Sequence, residues 1–376
     1  MAHDLLPDAE TASPPAAEAP AGHRPDSAAN PLHFADSRDI DEFIEGLRRF
    51  ERGEMGADEF RAFRLARGTY GQRQPDVNML RVKIPQGVLD GAQLEALASV
   101  ADTYSRGFGH VTTRQNVQLH FVQLARAAEA MERLAAVGLT TKEACGNTVR
   151  NITGCALAGV CDGAPFDVTP YAQAATRYFL RNPVGQALPR KFKIAFSGCA
   201  HDCAQGAIND VGLVAVVRDV DGKPERGFRV RVAGGLSTSP ENAHLLHDFL
   251  PTDELLPVLE AVVRLFDRTG NRQNRSRARL KYVVRRLGWE GFRAEFEKEL
   301  AAVAAEGRTR IAIDPSDTHV LFTDFTGHEV RQMTIADGTV GRLAGRAMWG
   351  NNVRSHRDGA KEQEGLRARR CLTRRA

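Results

Sequence analysis

The sequence predicts an α+β protein: an antiparallel sheet backed by helices, then a second unit built around a glycine-broken stretch of cysteines. Three observations carry that expectation. From Met79 to Val137 the apolar pattern reads strand, helix, strand, strand, helix. From Cys145 to Cys203 lie five of the six cysteines, among glycines that interrupt any long helix. From Thr252 to Leu300 apolar residues recur at helical spacing. A chain of 376 residues, 42% hydrophobic and 26% charged, is long enough and apolar enough for two or three cores.

Composition excludes some classes. No apolar run approaches the roughly 18 residues of a membrane span, so no membrane partner is expected. MAHDLLPDAE has no basic segment followed by an apolar one, and the expected location is the cytoplasm, where thiols stay reduced. The formal charge of +4 sits in residues 361–376, where six Lys and Arg face two Glu. The rest of the chain is about neutral, so no specific nucleic-acid partner is expected.

Taken in order, residues 1–34 are rich in Ala, Pro, Asp and Ser and read as a disordered leader. Phe43, Ile44, Leu47 and Phe50 form one helical face, and Phe60, Phe63 and Leu65 a second helical piece before Gly68. Tyr70–Pro75 reads as a loop. MLRVKIP at 79–85 alternates as a strand does, Leu89–Tyr104 has helical spacing, and His110–Leu124 reads as two strands around a turn at Arg114–Asn116. Ala127–Val137 is an amphipathic helix. This order fits an antiparallel sandwich whose last strand is absent or displaced.

An extended Arg114–His120 would place Arg114, Gln118 and His120 on one sheet face and Val117, Leu119 and Phe121 on the core face. The polar line is either an anion-binding surface or a solvated sheet face, and Arg81 and Lys83 share that ambiguity. Asp167–Leu180 reads as a helix, Lys191–Phe196 as a strand with both lysines on one face, and Ser197–Cys203 as a loop entering a helix. Asp210–Val217 and Phe228–Val232 read as strands and Leu245–Phe249 as helical. Thr252–Phe266 also reads as a helix, and Arg279–Leu300 as a pair of helices around Trp289. Ile311–Val320 and Val330–Ile335 read as strands. Boundaries are expected at 1–34, 35–140, 141–300 and 301–376, the last a divergent, partly disordered tail.

Cys155 and Cys161 have five residues between them, and Cys199 and Cys203 have three. Soft thiolates select an iron–sulfur cluster, zinc or copper(I), while the short C-x2-C knuckles of structural zinc sites are missing. Cluster ligands, zinc ligands and incidental cysteines all remain open from spacing alone. Cys145 reads as a small buried hydrophobe, and His201 as a surface residue, an outer donor or a substitute ligand. Arg150, Lys191 and Lys193, close to the cysteines in sequence, suggest an anion or anionic cofactor beside the metal.

MLRVKIP at 79–85, TTRQNVQLH at 112–120, CGNTVRNITG at 145–154 and LPRKFKIAFSG at 188–198 together resemble the siroheme and iron–sulfur nitrite/sulfite reductase family over about residues 79–300. The resemblance implies a ferredoxin-like half-domain, an α/β siroheme-reductase domain and a helical extension. It implies siroheme and a [4Fe–4S] cluster as cofactors, and six-electron reduction of sulfite to sulfide or nitrite to ammonia. The implied electron donor is a ferredoxin or a reductase subunit. By the same resemblance Arg81, Arg150, Lys191 and Lys193 surround the small oxyanion. Arg114, Gln118, His120 and Asn151 hold the siroheme. Cys155, Cys161, Cys199 and Cys203 either ligate the cluster, with Cys203 bridging to the siroheme, or echo the family's duplicated motif while the ligands lie in a missing second copy. The match covers the first of the family's two internal copies. The expected explanations are a missing second half, a homodimer that replaces it, or a cofactor-poor half-protein without independent activity.

Overall fold

A computed structural model describes residues 32–237, 239–307, 313, 322–323 and 329–330. The fold is α+β, with two large sheets, a separate apolar core behind each, and a two-stranded pair of Phe322–Thr323 with Glu329–Val330.

The first core begins with α1 (Ser37–Glu51), started by the Asp36 carboxylate, which accepts the Arg38 N–H at 3.0 Å. Phe43 is fully buried on its inner face. α2 (Ala57–Ala66) leads into β1 (Thr69–Gly71) and then β2 (Val77–Val82). The expected loop at Tyr70–Pro75 therefore begins as an edge strand, too short to show alternation. α3 (Gly91–Tyr104) opens with a reciprocal capping box between Asp90 and Gln93. β3 (Gly109–Val111), β4 (Val117–Gln123) and α4 (Ala127–Ala135) complete the unit. The sheet order is β1-β2-β4-β3, antiparallel throughout, so the displaced strand is β1, at the start rather than the end.

Two expectations for β4 change. Arg114 lies in the turn before the strand, not on it. Phe121 has φ 65°, and the β2 pairing shifts there, so His120 and Phe121 oppose the single residue Met79. The bulge turns Phe121 off the core face, and Val122 is fully buried in its stead.

The second sheet has the order β5-β6-β7-β8-β9: β5 (Thr153–Gly154), β6 (Ile194–Ser197), β7 (Val211–Val220), β8 (Lys223–Val232) and β9 (His244–Pro251). β5, β6 and β7 run parallel and the rest antiparallel. β7 and β8 close through Asp221-Gly222, both left-handed at φ 54° and 78°, the conformation a two-residue hairpin demands. α5 (Thr169–Phe179), with Pro170 in its first turn, α6 (Leu255–Thr269) and α7 (Leu280–Ala305) cover the sheet. Phe192, Phe196, Phe228 and Phe266 are wholly buried in this core, where losing one ring to Ala costs about 3–5 kcal/mol.

Leu245–Phe249, expected as helix, lies inside β9, with Leu246 and Leu250 buried and Leu245 exposed. Three apolar positions in five residues fit either period, and pairing with β8 decides it. The pair of helices around Trp289 is α7 broken at Gly288, φ 71°. The loop at Ser197–Cys203 does not run into an α-helix; a 3-10 turn at Gly206–Ile208 follows it. Of the expected leader, residues 1–31 lie outside the described residues, while Leu32 and Phe34 are buried. The expected strands at 311–320 and 330–335 also fall almost wholly outside them. Among the described residues, no helix is long and apolar enough to cross a membrane.

Candidate functional site

A cavity of about 1510 Å³ opens between the two sheets. Its walls come from β2 (Arg81), β3 (His110), the following turn (Arg114, Asn116), β4 (Gln118), the loop after Cys145 (Arg150, Asn151) and the extended approach to β6 (Arg190, Lys191, Lys193). One sector of the wall is acidic, but Asp39 and Glu42 are already engaged there by Lys142 at 3.0 and 3.1 Å. The remaining cations have far less compensation.

Arg150 is held by carbonyls, its Nε donating to Gly146 O at 2.9 Å and its terminal nitrogen to Ala144 O at 3.0 Å. Arg81 reaches the same Ala144 oxygen at 3.5 Å. Arg114 donates to Asn209 Oδ1 at 2.9 Å, Asn151 O at 2.5 Å and Ile194 O at 3.0 Å. Asp210, wholly buried, accepts from the Lys193 backbone at 2.9 Å and takes Arg279 in a two-point pair at 2.9 and 3.1 Å.

Burial, followed by neighbouring positive charge, makes protonation costly. Lys191 is pushed down to about 8 by burial and then by Arg150, Arg190 and Arg279. Lys193 is likewise pushed down to about 8, by burial and then Arg114 and Arg279. Arg114 falls to about 9 and Arg150 to about 10, burial first in each case. An anion supplied to this cavity would relieve every one of these costs. Arg114 Nε and Asn151 Oδ1 are moreover buried without a hydrogen-bond partner. Those orphaned atoms and the crowded cations fit a polyanionic macrocycle together with a small oxyanion.

Arg81, Arg114, Gln118, Arg150, Asn151, Lys191 and Lys193 all line the cavity. His120 does not; its ring stacks on His110 at 5.8 Å, and His110 faces the cavity in its stead. Lys83 also leaves the wall, buried beside Glu143 at 3.8 Å. His110 escaped the sequence reading, although a hairpin drawn around Arg114–Asn116 would have set it opposite Gln118, its partner in register. With the Gln118 amide turned to satisfy both ends, its oxygen accepts from Arg81 at 2.5 and 3.2 Å and its nitrogen donates to His110 Nδ1 at 3.3 Å. Asp210 and Arg279 were also missed, being distant in sequence and joined only by the fold.

The four cysteines gather elsewhere. Cys161 and Cys199 have their sulfurs 3.9 Å apart. Burial pushes the Cys155 thiol up to about 11, with the charges of Cys203 and Cys161 adding to the effect. Burial also raises Cys199, and Cys161 and Cys155 add to it. Cys155, Cys161 and Cys199 are buried and Cys203 is exposed. None of the four lines the cavity, whereas Cys145 does. The wall of the cavity thus includes Cys145 and the cations but none of the four paired cysteines.

An antiparallel half-sheet and a mixed second sheet, with a cation-walled cavity between them, define an α+β protein whose site is chemically suited to anions. The comparisons narrow that class. Residues 70–137 match the nitrite/sulfite reductase ferredoxin-like half domain, and residues 145–303 match the nitrite and sulphite reductase 4Fe-4S domain. The assimilatory ferredoxin-dependent nitrite reductase of Haloferax mediterranei is 37% identical over 246 residues, 62% of this chain and 42% of that protein. Sulfite reductase [ferredoxin] 1 of Mycolicibacterium paratuberculosis is 36% identical over 221 residues, 59% of this chain and 39% of that one. The structure of the Mycobacterium tuberculosis NirA protein matches with a TM-score of 0.62 at 27% identity, covering 82% of this chain and 62% of that one. The chain belongs to the nitrite/sulfite reductase family. It spans less than half the length of the curated relatives it matches.

Proposed function

We propose that this chain forms the anion-binding half of a siroheme-dependent reductase that converts sulfite to sulfide or nitrite to ammonia by six electrons. The observation that carries this reading is the convergence of Arg81, Arg150, Lys191 and Lys193, from three separate stretches of sequence, on one cavity. When bound, siroheme supplies the metal to which the oxyanion attaches, and a [4Fe–4S] cluster supplies a store of single electrons. Arg81 and Arg150, fixed by shared carbonyls, offer rigid donors to oxyanion oxygens and hold developing negative charge. Lys191 and Lys193, with acidity near neutral pH, can give protons to departing oxygen and recover them from solvent. Arg114, Gln118 and Asn151 are proposed to seat the macrocycle carboxylates, and His120 to act only through the ring of His110.

Cys155, Cys161, Cys199 and Cys203 are proposed as the cluster ligands, and residues 35–140 and 141–300 as the two folding units, a division the two separate cores support. A ferredoxin is the proposed donor, since several relatives carry it in their names. A reducing cytoplasm is the proposed setting. The chain's span of less than half the length of its relatives supports a cavity completed by a further polypeptide, either a second half or a second copy.

The test is anaerobic reconstitution of the full chain with siroheme, iron and sulfide, followed by turnover of nitrite and sulfite with a reduced dye. Siroheme uptake that weakens in Arg114→Met, and turnover that is lost in Lys191→Met and Arg150→Met with siroheme still bound, are expected. A folded protein that takes up neither cofactor would refute the proposal.

A further inference from the structure

We infer that Glu143 is the proton-loading group of the cavity, a buried carboxyl that takes protons from solvent and passes them to Lys191 and Lys193 between reduction steps. This deepens the reading above and rests on it for the reaction served. Reduction of nitrite to ammonia, or of sulfite to sulfide, consumes more protons than electrons, and each lysine gives only one proton before it must be refilled.

Four carboxylates line the cavity among the described residues, and Glu143 differs from the other three. Asp36 takes Arg38, Asp39 takes Lys142 and Arg181, and Glu42 takes Lys142 and Arg67, all at 3.1 Å or less. The Glu143 side chain is only 1% exposed, and its Oε2 has no hydrogen-bond partner. Its other oxygen accepts the Arg181 backbone N–H at 3.0 Å. The Lys83 ammonium stands 3.8 Å from Oε2, and Lys83 does not itself line the cavity. The carboxyl therefore faces the cavity with its counter-charge behind it. The main chain holds it there: φ at Glu143 is 57°, left-handed, and the N–H donates to Ala66 O at 2.6 Å.

A lone buried carboxyl keeps its proton, and one bonded directly to a cation gives it up. Glu143 lies between these limits. Burial pushes its carboxyl up and the Lys83 ammonium down, while their attraction opposes both shifts. The other charges facing the pair are Lys142, Arg181 after α5, Arg150 and Asp39 of α1. An anion entering the cavity adds negative charge at low dielectric, so the carboxyl binds its proton more tightly. When the lysines have given protons to departing oxygen, the Glu143 O–H bond breaks and its proton passes through cavity water to a lysine amine. A polar cavity of about 1510 Å³ is roomy enough for that water. The carboxylate left behind regains a proton from solvent past Glu42, 52% exposed on the same wall. Glu143 gains and loses no electrons in this cycle.

The test compares wild type with Glu143→Gln and with Lys83→Met/Glu143→Gln, which leaves no buried charge unpaired should the single variant not fold. Infrared difference spectra of the full chain without cofactors, with and without nitrite at neutral pH, should show a protonated-carboxyl band that grows with the anion and shifts in D2O. The band should be missing from both variants. In protein loaded with siroheme and cluster, kcat with a reduced dye should fall about tenfold or more in both variants. KM for nitrite should change less than about twofold, and the solvent isotope effect on kcat should rise. No band in wild type, the same band in Glu143→Gln, or a variant with wild-type kcat and isotope effect would overturn the inference and leave the reductase reading intact. A wild type that shows the band yet never turns over upholds proton loading at Glu143 and removes the reductase reading, so the two failures are distinguishable.

Discussion

Lys191 and Lys193 pass from ammonium to amine near pH 8, so the cavity loses positive charge as pH climbs through that value. Affinity for nitrite, whose own charge is constant in this range, should fall between about pH 7 and 9 by calorimetric titration. Lys191→Met together with Lys193→Met should bind roughly tenfold or more weakly at pH 7, and its pH dependence should flatten. The stability sign is opposite. The folded protein holds these protons less tightly than the unfolded chain, so the lysines cost stability at pH 7, and that cost is relieved as pH rises from about 8 toward 10.5. Denaturant midpoints across that window should rise in wild type and stay flatter in the double variant. A second residue-level prediction concerns His110. Arg81 can only donate, which fixes the Gln118 oxygen and turns its amide nitrogen to His110 Nδ1. The ring should therefore carry its proton on Nε2, as nitrogen-15 spectra can read, and should lose that preference in Gln118→Leu. Residue types at these positions were legible from period-two spacing. What spacing could not give was the identity of the cavity-facing histidine, because the bulge at His120–Phe121 alters the strand's facing.

Among the elements, the cysteine loop depends on a close approach that leaves no room for a side chain. A Cβ on Gly212 of β7 would stand 2.5 Å from the Gly206 carbonyl carbon and oxygen, backbone atoms that cannot swing aside. Gly212→Ala should thus cost about 1–3 kcal/mol or more and push the 3-10 turn at Gly206–Ile208 off the strand, measured as a drop in the denaturation midpoint. Gly291→Ala, inside α7 with its nearest neighbour at 3.4 Å, should instead stabilise by up to about 1 kcal/mol. The same contrast explains which elements were readable. Long amphipathic helices such as α1 and α6 announce themselves by repetition, and the Gly288 break in α7 by its glycine. β1 and β9 do not, because three residues, or a short stretch with only Leu245, Leu246 and Phe249 apolar, become strands only through their neighbours. The expected helix after Cys203 fails for a related reason: Asp202 takes the backbone N–H groups of Gly206 and Ala207 and fixes a tight turn.

At the scale of the molecule, the cavity exists because two cores are held at a fixed separation by polar contacts rather than by one continuous apolar core. Gln115 exchanges two bonds with Gly154, donating to its oxygen at 2.8 Å and accepting from its nitrogen at 3.0 Å. Asn151 donates to Ile84 O at 2.7 Å and Arg114 O at 2.8 Å, and Gln86 reaches Ala172 O at 3.2 Å and Thr176 Oγ1 at 3.1 Å. TTRQNVQLH and CGNTVRNITG were legible as motifs, yet their mutual clamp was not, since nothing local encodes which glutamine meets which glycine. Gln115→Leu leaves the Gly154 N–H and carbonyl buried and unpaired, a loss of about 1–3 kcal/mol placed at the junction. The smaller core, behind β2 and β4, should then loosen first. Hydrogen exchange should speed up at the amides of β2 and β4 more than at those of β6, β7 and β8, and thermal unfolding should broaden from one transition toward two. Uniform acceleration across both sheets would mean that the junction is not the weak plane, and that the cations keep their spacing through the cores themselves.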